Sequence, residues 1–169
     1  MHTGAHLAIA YLAFSWAEPS NVMASLVGSV VPDVQFIPVQ IDAVLNRTGF
    51  HHAIGKWRKN KLFRYLDFSL QSPILSFAAF LASLLLRNTL PDWVMFFTFN
   101  WFLHMVEDIL THKTSDLEKV EPGWPLAWPF SSRVIGFGIV SDEDSKILPK
   151  IEIALMALAV MVFLVRTFY

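Results

Sequence analysis

The chain lacks cysteine and carries little charge, and both shortages narrow what the protein can be. Because no cysteine is present, disulfides and thiolate ligands are excluded, and any bound metal must be held by histidine and carboxylate side chains. Charged residues make up 16% of the 169 residues, whereas a typical soluble domain has about 25%. The net charge of −1 gives no support to a nucleic-acid partner, so none is expected.

Several sequence signatures of enzymes are also missing. There is no phosphate-binding Walker loop, no glycine-rich dinucleotide-binding motif and no His-Glu-x-x-His motif of metalloproteases. The serines stand in no recognisable nucleophile motif, which argues against a serine hydrolase. We expect no removable signal peptide, because the first residues lack a basic region. What remains is chemistry that histidine and carboxylate groups can support.

Apolar residues are abundant: they make up 54% of the chain, and the mean hydropathy is +0.48. Three apolar runs approach the roughly 20 residues that cross a bilayer, and they are Ser69 to Leu86, Pro91 to Leu110 and Ile151 to Phe168. Two shorter apolar segments, Thr3 to Trp16 and Ser20 to Val31, precede them. We therefore predict a single domain over residues 1–169. Its fold is an all-α integral membrane bundle with a short N-terminal helical hairpin and about three long helices.

Two polar stretches separate the apolar segments. Asn46 to Asp67 carries six basic residues and one acidic residue, and aromatic residues are interleaved with them. This composition is typical of a membrane-facing segment on the cytoplasmic side, with a phosphate-binding patch as the alternative. Lys113 to Lys150 is predicted to be an ordered loop with a short strand near Val134 to Val140. The sequence thus predicts a multi-pass protein of the inner membrane whose partner is the lipid bilayer.

The strongest candidate for chemistry lies in the helix predicted from Trp93 to Thr111. His104, Asp108 and His112 recur every four residues and therefore share one helical face. Imidazole and carboxylate groups aimed at one point suit a divalent cation such as Zn²⁺, Mn²⁺ or Fe²⁺. The alternative is a buried polar stripe that only links helices. We favour the cation, because ionisable groups inside a membrane are functional candidates by default.

Four more candidates lie outside this series. His2 and His6 repeat the four-residue spacing, and His6 is better placed because it directly precedes an apolar run. Asp33 follows an apolar helix end, where a carboxylate needs a partner or caps the next turn. Glu107 lies about 100° from Asp108 around the helix, and we expect a solvated neighbour there rather than a general base.

Chain topology predicts which of these residues come together. The two central long helices form a predicted hairpin, so its entry and exit return to the same membrane face. This arrangement places His51, His52 and Asp67 beside Asp108 and His112. At most one of the two adjacent histidines needs to be a ligand, and the spacing does not choose between them.

Four segments, in this order along the chain, resemble a known family. They are Thr3 to Ala10, Gly28 to Asp33, His104 to Thr111 and Trp128 to Phe130. The set is similar to the predicted membrane-bound metal-dependent hydrolases that include LexA-regulated inner-membrane proteins. Those proteins are in turn distantly similar to the zinc-dependent phospholipase C group.

The resemblance implies a set of metal ligands, namely His6, Asp33, His104 and Asp108. Two positions depart from the family pattern. Gln35 stands where the family usually has a second acidic residue, and Asp67 stands where it usually has a histidine. Either Asp67 or His112, which directly follows the segment His104 to Thr111, can supply the ligand that the absent histidine would provide.

The predicted function is hydrolysis of a phosphoester or phospholipid at the cytoplasmic membrane face, with a divalent metal as cofactor. Zinc is the first choice of metal, and manganese or iron is the alternative. Asp33 and Glu107 are the carboxylates available for a catalytic role. The competing hypothesis is a non-enzymatic membrane protein, either a metal transporter or a scaffold. A transporter carries its ligands near the middle of the membrane, whereas these lie at helix ends.

Overall fold

The structure, a computed structural model, describes residues 3–111, 128–130 and 147–168. These residues form eight helices: α1 (Thr3–Phe14), α2 (Pro19–Val34), α3 (Phe36–Leu45), α4 (Phe50–Trp57), α5 (Lys61–Leu70), α6 (Pro73–Leu85), α7 (Asp92–Thr111) and α8 (Leu148–Phe168). They contain no strand, so the predicted all-α class is confirmed for this part of the chain. The strand predicted near Val134 to Val140 lies outside it.

The predicted N-terminal hairpin is present, but its second helix is longer than expected. α2 continues through Pro32 to Val34, and the chain then bends by 49° into α3. Proline removes one backbone donor from a helix, and packing of α2 between α1 and α7 supports the turn that contains it. The carbonyl of Pro32 accepts a hydrogen bond of 2.6 Å from Gln71 Nε2.

The apolar run predicted as one helix from Ser69 to Leu86 is broken. α5 ends at Leu70, α6 begins at Pro73, and the two helices are bent by 57°. The cause is local, because a residue that precedes proline is disfavoured in the helical conformation. Ser72 instead caps α6, with its hydroxyl accepting from the amide of Leu75 at 3.2 Å. The polar stretch before this break is also largely helical, since it forms α4 and most of α5.

One described helix, α8, is by itself long and apolar enough to cross a membrane. The number of candidate spans among the described residues rises to three if α2–α3 and α5–α6 each form one bent span. α7 has 20 residues, but its C-terminal half carries His104, Glu107 and Asp108. It is not apolar enough to count as a candidate membrane span. The expectation of about three long spanning helices is therefore reduced to one clear candidate. The described chain is all-helical with one membrane-capable helix.

Candidate metal centre

Ligand-type side chains from the start of α1 and the end of α7 converge on one point. One donor atom from each of His6, His104 and Asp108 lies within 4.8 Å of the others. Both histidines are only 1% exposed, and their rings stack with centroids 3.8 Å apart. The spacing of four between His104 and Asp108 puts them on one face of α7, and the α1–α2 hairpin carries His6 to that face.

The contacts of His104 fix which ring nitrogen faces the cluster. Nδ1 lies 2.6 Å from the backbone carbonyl oxygen of Ser29, which can only accept, so Nδ1 carries the proton. With Nδ1 directed at that carbonyl, Nε2 is the ring nitrogen that faces the carboxylates, 3.2 Å from Asp108 Oδ2 and 3.7 Å from Asp33 Oδ1. This buried Nε2 makes no hydrogen bond to the described residues. An imidazole nitrogen that faces carboxylate oxygens in this way matches the ligand arrangement of a cation site.

His6 is arranged in the same way. Its Nδ1 lies 2.5 Å from Glu107 Oε2, and its Nε2 lies 3.2 Å from Asp108 Oδ1. That Nε2 also lacks a hydrogen bond of normal geometry within the described part of the chain. Burial opposes protonation of His6, but the adjacent carboxylates of Asp108 and Glu107 outweigh it and raise the pKa to about 9. The two carboxylates thus make a strongly negative environment that attracts a cation.

Asp33 completes the group from the end of α2. Thr3 Oγ1 donates a hydrogen bond of 2.5 Å to Asp33 Oδ2, which leaves Oδ1 facing His104. The side chain is 20% exposed, compared with 15% for Asp108 and 14% for Glu107. Asp33 is therefore the carboxylate of this group that is most open to an incoming molecule.

Two residues expected in the cluster lie elsewhere, and this corrects the predicted topology. Asp67 is fully buried and accepts a hydrogen bond of 2.5 Å from Arg58 Nε, so its charge is balanced by a guanidinium. His52 is exposed on α4, which packs against α3. His2 and His112 lie outside the described residues, as does the side chain of His51. For Asp67 the difference follows from the break between α5 and α6, because the predicted hairpin assumed one straight helix, whereas of these two helices it is α6 that packs against α7.

Sequence reasoning missed three groups that hold the cluster together. Glu107 was expected to be solvated, but it is 14% exposed and contacts His6. Thr3 was available from its spacing, since it lies three residues before His6 on the same helix. The backbone carbonyl of Ser29 gives no sequence signal at all. Comparison of the chain with protein-family models, curated proteins and solved structures found no match, so the assignment rests on this geometry.

Proposed function

We propose that the protein is a membrane-bound, metal-dependent hydrolase of phosphoesters, as its resemblance to membrane-bound hydrolases suggests. The supporting observation is the pair of buried imidazoles, each with Nδ1 on an oxygen acceptor and Nε2 turned towards Asp108. His6, His104 and Asp108 are the proposed ligands, and Asp33 is a fourth candidate. Three protein ligands leave an open position on zinc, as catalytic zinc sites require.

The chain's own groups have separate tasks in this mechanism. A bound divalent ion would supply Lewis acidity and lower the pKa of a coordinated water towards neutrality. The two imidazoles and Asp108 would hold the ion between the start of α1 and the end of α7. Asp33 is the proposed proton acceptor, because its Oδ1 faces the cluster while Thr3 holds Oδ2.

The proposed substrate class follows from the surroundings of the site. α8 is long and apolar enough to anchor the protein in a bilayer, and the bent pairs would add further spans. The exposed basic residues Lys59 and Lys61 suit anionic headgroups, and by the positive-inside rule they would place this side in the cytoplasm. A phosphoester, including the headgroup ester of a phospholipid, is the substrate that these charges favour.

The test compares two carboxylates on the same helix. Asp108→Asn removes a proposed ligand, whereas Asp92→Asn makes the same chemical change at an exposed residue in the first turn of α7. Elemental analysis of membrane-purified protein should find about one zinc ion per chain in the wild type and in Asp92→Asn. Asp108→Asn should lose the metal. Its hydrolysis of a phosphoester and phospholipid panel should fall by more than the roughly 100-fold attributable to an outer contact.

Other outcomes contradict the proposal in recognisable ways. Activity that survives complete chelation, or that is equal in Asp108→Asn and Asp92→Asn, would remove the metal mechanism. Bound metal without hydrolysis of any panel member would favour the non-enzymatic alternative, a transporter. A metal-free protein in which Asp108→Asn changes only stability would favour the scaffold.

A further inference from the structure

Glu107 contacts one of the proposed ligands of the candidate metal centre, His6. Its Oε2 lies against Nδ1 of His6, whereas Asp108 lies against Nε2 of the same ring. Glu107 is not among the three side chains whose donor atoms converge. It therefore acts on the centre through His6.

We propose that Glu107 is a positioning residue: it accepts the Nδ1 proton of His6 and so fixes the ring with Nε2 towards the ion. This inference rests on the proposed function, since it concerns the same centre. A carboxylate behind a metal-binding histidine selects the tautomer, orients the ring and increases the basicity of the coordinating nitrogen.

Contacts between the helices give this role a structural context. Three polar contacts link three helices in a closed cycle. Glu107 of α7 contacts His6 of α1. The Ser29 carbonyl of α2 contacts His104 of α7. The Thr3 hydroxyl of α1 donates a hydrogen bond to Asp33 of α2. In each contact one polar atom of His6, His104 or Asp33 is occupied, and the second polar atom of that side chain faces the cluster. Among the groups that occupy these atoms, Glu107 is the carboxyl side chain.

The same geometry argues against Glu107 as a general base. A base needs an oxygen within hydrogen-bond reach of the attacking water, but Oε2 is 2.5 Å from His6 Nδ1, on the side of the ring away from the cluster. Asp33 is better placed for that role, because its Oδ1 faces the cluster while Thr3 holds Oδ2.

The two roles predict different measurements on the full-length protein. Glu107→Ala should weaken zinc binding about 10- to 100-fold in a competition titration with a chromogenic chelator. Activity should return close to the wild-type kcat once zinc is saturating. Glu107→Gln should lose less affinity, because its amide oxygen still accepts the Nδ1 proton. A general base would instead leave zinc affinity unchanged and lower kcat at saturating zinc by about 100-fold or more.

Substitution of cobalt for zinc supplies a readout independent of activity, and Asp92→Asn serves as the matched control. The visible spectrum of bound cobalt should change in Glu107→Ala, change little in Glu107→Gln, and match the wild type in Asp92→Asn. If Glu107→Ala fails to fold, the same-sized Glu107→Gln carries the test through its zinc affinity, which should be measurably weaker than that of Asp92→Asn; equal affinities would overturn the positioning role.

The outcomes separate this inference from the proposed function. Weakened zinc binding in both Glu107 variants, in a protein that hydrolyses nothing, would support the positioning role and remove the hydrolase. Zinc affinity and cobalt spectra identical to wild type in both variants would overturn the positioning role and leave the hydrolase standing. A wild-type protein that binds neither zinc nor cobalt would overturn both.

Discussion

At the scale of single residues, the partner of each buried carboxylate decides what it can do. Asp67 faces Arg58, and the guanidinium, which is always charged, neutralises it within the protein. The guanidinium also lies over the ring of Phe68, 5.5 Å from its centroid. Asp108 faces two imidazoles, which carry no permanent charge and can exchange a proton for a metal ion. A carboxylate with an internal cation stabilises the fold, whereas one between imidazoles can bind an ion.

Asp67→Asn should therefore damage stability and leave the metal unaffected. The change removes the charge opposite a buried guanidinium, and breaking such a pair costs about 3–5 kcal/mol in the free energy of unfolding. Chemical unfolding in detergent would measure this loss, and elemental analysis should find the same zinc content as in wild type. Loss of zinc without loss of stability would instead indicate that Asp67 is a metal ligand. As a control, Arg58→Met combined with Asp67→Leu should recover part of the stability.

At the scale of helices, the close approach of α2 to α7 sets the geometry of the centre. The buried face of α2 includes small residues in two rows spaced by four: Ala24, Ser25, Gly28 and Ser29. Such small-residue rows let helix backbones approach closely. A Cβ at Gly28 would lie 2.2 Å from the carbonyl oxygen of Phe97 on α7. Gly28 precedes Ser29, so this approach also places the carbonyl that holds His104.

Gly28→Ala should separate α2 from α7 and weaken the metal centre together with the fold. Overpacking against a backbone atom costs about 1–3 kcal/mol, and displacement of the Ser29 carbonyl should lower zinc affinity. Chelator competition and thermal unfolding would measure both effects. Gly49→Ala is the matched control, because a Cβ there meets nothing within 4 Å. Equal zinc affinity in the two alanine variants would show that helix spacing does not control the site.

At the scale of the whole molecule, polarity is distributed as expected for a protein in lipid. Fully or nearly fully buried side chains include many polar ones, such as His6, Ser25, Asp67, Ser76, Asn100 and His104. Large apolar side chains are exposed along α8, where Val160, Met161 and Val165 are each more than half exposed. A soluble protein keeps its charged side chains outside and avoids large apolar patches. The arrangement therefore favours lipid around α8.

Leu158→Lys should impair membrane insertion. Leu158 is 44% exposed near the middle of α8. A lysine at the centre of a spanning helix costs about 2.5–3.5 kcal/mol. The fraction of protein that resists alkaline extraction from membranes should fall relative to wild type. Leu62→Lys, at a 70% exposed residue beside Lys61, should extract like wild type. Identical extraction of all three proteins would contradict a spanning α8.

Much of the element content was predictable because it depends on neighbours along the chain. The helix predicted over Trp93 to Thr111 is observed as α7, and the last apolar run is observed as α8. The break at Ser72 was missed although Pro73 follows it directly, because the apolar composition of the run outweighed the proline. The expected position of Asp67 was wrong for the same reason, because Asp67 lies on α5, whereas α6 is the helix of this pair that packs against α7.

The sequence by itself determined that the chain is helical and apolar, and that His104 and Asp108 share a face of α7. Both follow from composition and from a spacing of four, which act within one helix. Only the tertiary structure decided that His6 and Asp33 approach that face, that Glu107 contacts His6, and that Asp67 pairs with Arg58. These contacts depend on the distances between helices, which side-chain packing sets and which no spacing along the chain records.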